Sequence, residues 1–218
     1  MRRLQAAAGP VTTFPRPLVV PYIASWSAEQ ARSPVVIGPR GGIAYQDEGP
    51  YDRDADGYLW LRAPAKQGCG RPDFGRVHPL RQRRVMRRLL CQVCGGPADQ
   101  DERGTLWLLE DHRMDWEGWP NGLLTTHPPV CVPCAREAVR SCPNLRSGCV
   151  AVRVGSSDVS GICGIYGVRY LPGSPMTPGV VEYGDPAGRW VLASQLVRGL
   201  SDCTVDLAEF ADVSARSQ

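Results

Sequence analysis

Four of the nine cysteines fall in two Cys-x-x-Cys pairs, Cys91-Gln92-Val93-Cys94-Gly95-Gly96 and Cys131-Val132-Pro133-Cys134. Two thiolates separated by two residues can face one tetrahedral ion, because a tight turn carries both sulfurs to one side. The glycines after Cys94 let such a turn close with amides towards sulfur. Zinc accepts four sulfurs in that geometry, and four-cysteine sites are closed and structural. A redox Cys-x-x-Cys is the competing reading; it would open a helix after a strand. Here the first pair leaves a basic helix and enters Gly-Gly, while the second opens a helix over 135–140. The spacing therefore predicts a structural Zn2+ held by Cys91, Cys94, Cys131 and Cys134. Cys69, Cys142, Cys149, Cys163 and Cys203 lack paired spacing and are read as buried or idle thiols, Cys142 being nearest in sequence to the second pair.

A second constellation is basic. Arg81, Arg83, Arg84, Arg87 and Arg88 crowd the helix predicted from Leu80 to Leu90, with Arg81, Arg84 and Arg88 sharing a face. Such a face can contact nucleic-acid phosphates with little sequence choice. It can equally be a solvated face neutralised by acids such as Asp99, Asp101 and Glu102. Asp52-Arg53-Asp54-Ala55-Asp56-Gly57 matches the start of a calcium loop, but its twelfth position is Ala63 instead of a bidentate Glu. It reads as an acidic hairpin loop closed by a Gly turn. His78 has no partner spacing and is expected at the surface.

The elements that must position the cysteines are short, because 20 prolines and 24 glycines interrupt the chain. Residues 1–17 read as a loose arm. Strands are expected over 18–23, 35–37, 42–45 and 58–62, the last two as a possible pair. A loop is expected over 64–80. Between the cysteine pairs, a polar turn at 99–104 precedes a strand over 105–110. Further strands are expected over 150–154, 164–170 and 180–183, with a Pro/Gly loop at 172–179. A helix is expected over 190–198 and an edge strand over 203–207, and the tail from Ser214 is expected to fray. The fold class is α+β, short-stranded sheets and a few helices around the zinc module. It divides into a β-rich segment 1–66, the zinc module 67–149 and an α+β segment 150–218, packed as one unit.

The order knuckle, hairpin, long loop, helix resembles a treble-clef zinc module over about residues 85–142. Within it, Asp111-His112 at the end of the hairpin strand and Asn121 in the following loop resemble an HNH endonuclease. The resemblance implies His112 as general base, Asn121 as its orienter and Asp111 as a ligand for a catalytic divalent cation. The position after Cys134, where that family carries a further His or Asn, is Ala135. His127 and Glu137 are the available substitutes. The module thus resembles a degenerate HNH domain, and little or no nuclease activity is expected.

Length and composition set the remaining bounds. The chain has 218 residues, with 43% hydrophobic and 22% charged, enough for a buried core. Net charge is +3, and Lys66 is the only lysine, so the other basic residues are all arginine. No apolar run reaches the length of a membrane span, and the start lacks the apolar core of a signal peptide. The odd cysteine count argues against a disulfide framework. A cytoplasmic location follows from these features. The reading is a zinc-stabilised binding protein contacting DNA or RNA. A metal-dependent HNH-like nuclease and a protein-interaction accessory component are the alternatives.

Overall fold

The computed structural model describes residues 19–30, 33–39, 41–145, 148–155, 162–170, 173 and 175–206; the side chains of 162–164 are outside this description. In chain order, the strands and helices are β1 (Ala24–Trp26), β2 (Val35–Ile37), β3 (Ile43–Tyr45), β4 (Leu59–Trp60), β5 (Pro72–Val77), α1 (Pro79–Arg88), β6 (Gln100–Asp101), β7 (Gly104–Glu110), β8 (Leu124–Thr125), α2 (Val132–Ser141), β9 (Cys149–Val154), β10 (Ile162–Arg169), β11 (Thr177–Glu182), β12 (Val191–Gly199) and β13 (Cys203–Asp206). The architecture is α+β, as the sequence predicts. The expected arm 1–17, the frayed tail and Leu207 lie outside the described residues.

Two sheets dominate. One orders as β11-β10-β12-β4, with β8 also on β12; the other orders as β13-β9-β7-β6. The first draws strands from all three sequence segments. Its inner face and α1 share a core of Tyr58, Trp60, Met86, Ile165, Val181, Val191, Ala193 and Leu196. Each fully buried side chain such as Met86 or Leu196 contributes roughly 1.5–3 kcal/mol of transfer free energy.

The helix expected over 190–198 is instead the central strand β12. It pairs antiparallel with β10 and β8 and parallel with β4. Its apolar spacing fits either period, and β-branched Val191 and Val197, together with partners on both sides, decide for the strand. The strand expected over 18–23 starts later, at Ala24. Pro21 has no amide hydrogen to give a ladder, and the amides of Tyr22 and Ile23 go to the carbonyls of Val93 and Gln92. The loop expected over 64–80 contains β5, paired with β1. β3 and β4 do not pair with each other: β3 takes β2 and β4 takes β12.

The acidic loop behaves as a turn. Gly57 N–H donates to the Asp54 carbonyl, and the Asp54 carboxylate accepts from the amides of Asp56 and Tyr58 and from Trp60 Nε1. Asp52 is held by Arg62. These carboxylates are consumed by the hairpin.

His78 departs from expectation too. It is buried, not superficial, and caps α1 by accepting from the Arg81 amide through Nδ1. Its Nε2 lies 3.3 Å from the Pro64 carbonyl and 3.7 Å from the Glu29 carboxylate. Burial, reinforced by the adjacent Arg81 guanidinium, pushes its pKa below the ordinary value. The folded protein therefore resists taking up this proton, whereas the unfolded chain binds it near pH ~6.5. That contribution to stability is complete above about pH 6.5 and is lost as pH falls through the unfolded value towards the folded one. Urea midpoints are expected to fall between about pH 7.5 and 5.5. His78→Asn, which can still cap, should show a smaller fall than the wild type. Equal slopes for the two proteins would exclude His78 as the source.

Candidate metal centre

The first cysteine pair is placed by the end of α1. Leu89 closes the helix in the left-handed conformation, φ 49°, with its amide on the Val85 carbonyl. A non-glycine residue there costs roughly 1–2 kcal/mol; packing of Leu89 against the Trp107–Leu200 cluster offsets it. The chain then turns sharply. Leu90 bridges to Pro97, Cys91 N–H donates to the Gly96 carbonyl and Gly95 N–H donates back to the Cys91 carbonyl. Gly95 sits at φ +74°, and a Cβ there would meet the Tyr22 ring at 3.0 Å, so both conformation and packing require glycine.

The second pair is placed by α2. Cys131 is its N-cap residue, Pro133 lies in the first turn, and Ala135 N–H donates to the Cys131 carbonyl. The partial positive charge at this helix start favours thiolates. Between the pairs, β6 and β7 form the expected hairpin, closed at Gly104. Three backbone bonds then fasten the knuckle and the hairpin to the segment entering α2: Gln92 N–H to Pro129, Asp99 N–H to Val130 and Val130 N–H to Leu106.

These constraints bring the sulfurs of Cys91, Cys94, Cys131 and Cys134 within 4.8 Å of one another, with Cys94 and Cys131 Sγ 3.9 Å apart. A tetrahedral ion with bonds of about 2.3 Å to sulfur needs sulfur–sulfur edges of about 3.8 Å. The four cysteines can hold a metal ion such as zinc. Cys91 is fully buried and Cys94 is exposed. Burial pushes the Cys91 and Cys134 thiols up. Cys94 moves down in spite of its own desolvation, through the Gly96 amide and the neighbouring sulfurs. The thiolate form of this cluster is one that a bound cation would stabilise. Leu106, Leu108, Val130, Ala135 and Ala151 pack beneath it with Cys91.

Among the described residues, no other group of three or more His, Cys, Asp or Glu side chains comes together this way. Cys69 is exposed; Cys142 ends α2, Cys149 lies in β9 and Cys203 in β13, where burial pushes its thiol up to about 11. The side chain of Cys163 is outside the described residues.

Of the residues implied by the endonuclease resemblance, Asp111 and His112 share one exposed loop, His127 interacts with the Glu110 that also contacts His112, and Asn121 is held elsewhere. Asp111 is paired with Arg113, and His112 lies exposed between Asp115 at 2.8 Å and Glu110 at 3.4 Å. Those carboxylates raise the His112 pKa, Glu110 first. Asn121 accepts from the Cys203 amide and donates to the Gly118 carbonyl, so both ends of its amide serve the backbone. His127 is exposed, and its carbonyl receives Trp107 Nε1. Glu137 accepts from the Ser141 hydroxyl. Ala135 is fully buried in the core beneath the cysteines, so its methyl group has a packing role at that position.

The five arginines of α1 divide sharply. Arg81 is buried and forms a two-pronged pair with Glu29, at 2.6 and 2.7 Å, plus a bond to the Ala24 carbonyl. Arg83 lies over the Trp60 ring at 4.4 Å. Arg84, Arg87 and Arg88 are exposed; Arg84 donates to the Tyr22 hydroxyl, and Arg87 is 3.7 Å from Asp54. The acids expected as helix partners are engaged elsewhere, Asp99 with Arg153 and Asp101 with Arg103 and Arg153. Sequence reasoning missed Gln82, which is fully buried. Its amide donates to the carbonyls of Thr126 and Leu196 and accepts from Leu196 N–H.

No protein-family model, curated protein or solved structure matches this chain. No helix among the described residues is long and apolar enough to cross a membrane.

Proposed function

We propose that the protein is a zinc-stabilised, non-catalytic binding module whose partner is nucleic acid. The convergence of four sulfurs at the junction of α1, the β6–β7 hairpin and α2 carries this reading. Four thiolates in tetrahedral array suit zinc and leave no open coordination position for chemistry. Cys91 and Cys94 would hold one side of the ion and Cys131 and Cys134 the other, as a structural cross-link. The sequence of knuckle, hairpin and ligand-bearing helix supports a treble-clef description. Arg84, Arg87 and Arg88 are the cations of α1 left facing solvent, on the helix that leads into the knuckle. They suit contact with phosphates, which fixes position and carries little sequence information.

The test is retention of purified, metal-loaded protein on DNA and RNA at low salt. Arg84→Glu with Arg88→Glu is expected to abolish retention, and each lost phosphate contact lowers the salt slope by about one. Unchanged retention would move the assignment to a protein partner. Plasmid and single-stranded substrates incubated with magnesium or manganese are expected to stay intact. The pairing of Asp111 with Arg113 and of Asn121 with backbone groups supports this expectation. Cleavage that disappears in His112→Ala would replace this reading with the nuclease.

A further inference from the structure

Between β1 and β5 the pairing slips: Ala24 faces Val77, but the next residue, Ser25, faces Asp73. One step along β1 thus answers to four along β5, and Phe74, Gly75 and Arg76 are thrown out of the ladder. A bulge of this kind re-aims side chains that a regular strand would lay flat. Asp73 supports it by accepting from the Gly75 amide. Phe74 is left 49% exposed and the Arg76 side chain 64% exposed. The Phe74 ring stands half open to solvent on a braced bulge, outside the buried clusters.

The chain on either side of the bulge is basic. Lys66 and Arg71 precede the bulge and are exposed. The chain then runs through His78 into α1, whose exposed Leu80, Arg84 and Arg88 recur every four residues along one face. From Leu80 to Arg88 that face extends about 12 Å. An exposed ring followed by a line of guanidinium groups matches what a single strand offers, a base with a π-face and a chain of phosphates. A duplex keeps its bases stacked and offers the ring no such partner. Asp73, 3.9 Å from Arg76, is the acid at the bulge.

We infer that the Phe74–Arg76 bulge is the base-stacking contact of a single-stranded nucleic-acid surface that continues along Arg84 and Arg88. The inference rests on the nucleic-acid reading above and sharpens it to the strand form and the stacking residue. Stacking is indifferent to base identity, so recognition here is sequence-tolerant.

Fluorescence anisotropy with labelled oligothymidylate, and with a labelled duplex of mixed sequence, tests it on the full metal-loaded chain. Phe74→Ala is expected to weaken oligothymidylate binding about tenfold or more while leaving the salt slope unchanged. Phe74→Trp should restore it, and duplex binding should change little in either variant. Because the ring is only half covered, the thermal midpoint of Phe74→Ala should fall by a few degrees at most, and a retained cooperative transition separates lost contact from lost fold. Wild-type binding that Phe74→Ala leaves intact would overturn the stacking inference and spare the nucleic-acid reading. A wild-type protein that binds neither probe would overturn both.

Discussion

Cys131→Ser is expected to cost the protein its metal and, with it, its folded state. Cys131 is both a candidate ligand and the N-cap residue of α2, so serine keeps the capping chemistry and removes the thiolate. Apparent zinc affinities of small structural sites amount to about 10–16 kcal/mol, against a net stability of about 5–15 kcal/mol for a typical domain. Losing a quarter of the ligand set therefore competes with the entire margin. Zinc released on denaturation, measured colorimetrically, should fall from one equivalent to near none, and the cooperative thermal transition should vanish or drop steeply. Cys69→Ser, at an exposed thiol outside the cluster, is the control and should change neither. Wild-type metal content and melting in Cys131→Ser would remove the basis for a four-cysteine centre.

Arg81→Ala is expected to destabilise the fold by about 3–5 kcal/mol, because it strands a buried carboxylate. Glu29 is fully shielded from solvent at its side chain and takes both oxygens' bonds from Arg81, Trp26 and, more distantly, His78. Desolvation alone would raise the Glu29 pKa; the Arg81 bonds prevail and hold it below its ordinary value. Chemical unfolding should show the loss as a lower midpoint at constant m. The double change Glu29→Gln with Arg81→Leu should recover part of it, since no unpaired charge then remains. A shift below about 1 kcal/mol in Arg81→Ala would mean that the pair behaves as a surface contact despite its burial.

The four-cysteine cluster is legible in sequence because its information is local. Two residues fix each cysteine pair, and Gly95-Gly96 and Pro133 announce the turn and the helix start beside them. The hairpin strand at Thr105–Glu110 and the α2 helix follow from equally short patterns. What stayed hidden depends on partners far along the chain. Arg81 reads as one of five equivalent arginines until Glu29, 52 positions away, closes on it. Gln82 looks like a solvent residue until Leu196, 114 positions away, takes both faces of its amide. His78 becomes a buried cap because Pro64 and Glu29 surround it. β12 has apolar residues whose spacing fits a helix face, and only strands on either side of it settle the matter.

The same separations order the assembly of the molecule in time. The cysteine cluster, its hairpin and β9 lie between residues 91 and 154, with mostly short loops to close. The larger sheet is different: β12 must find β4, more than a hundred positions upstream, and β8 as well as neighbouring β10. Loop closure over such distances is slow compared with local pairing. Because α1 is synthesised before β12, Met86 and Gln82 wait for their β12 partners. A metal-bound half that forms early would give that waiting helix one fixed end.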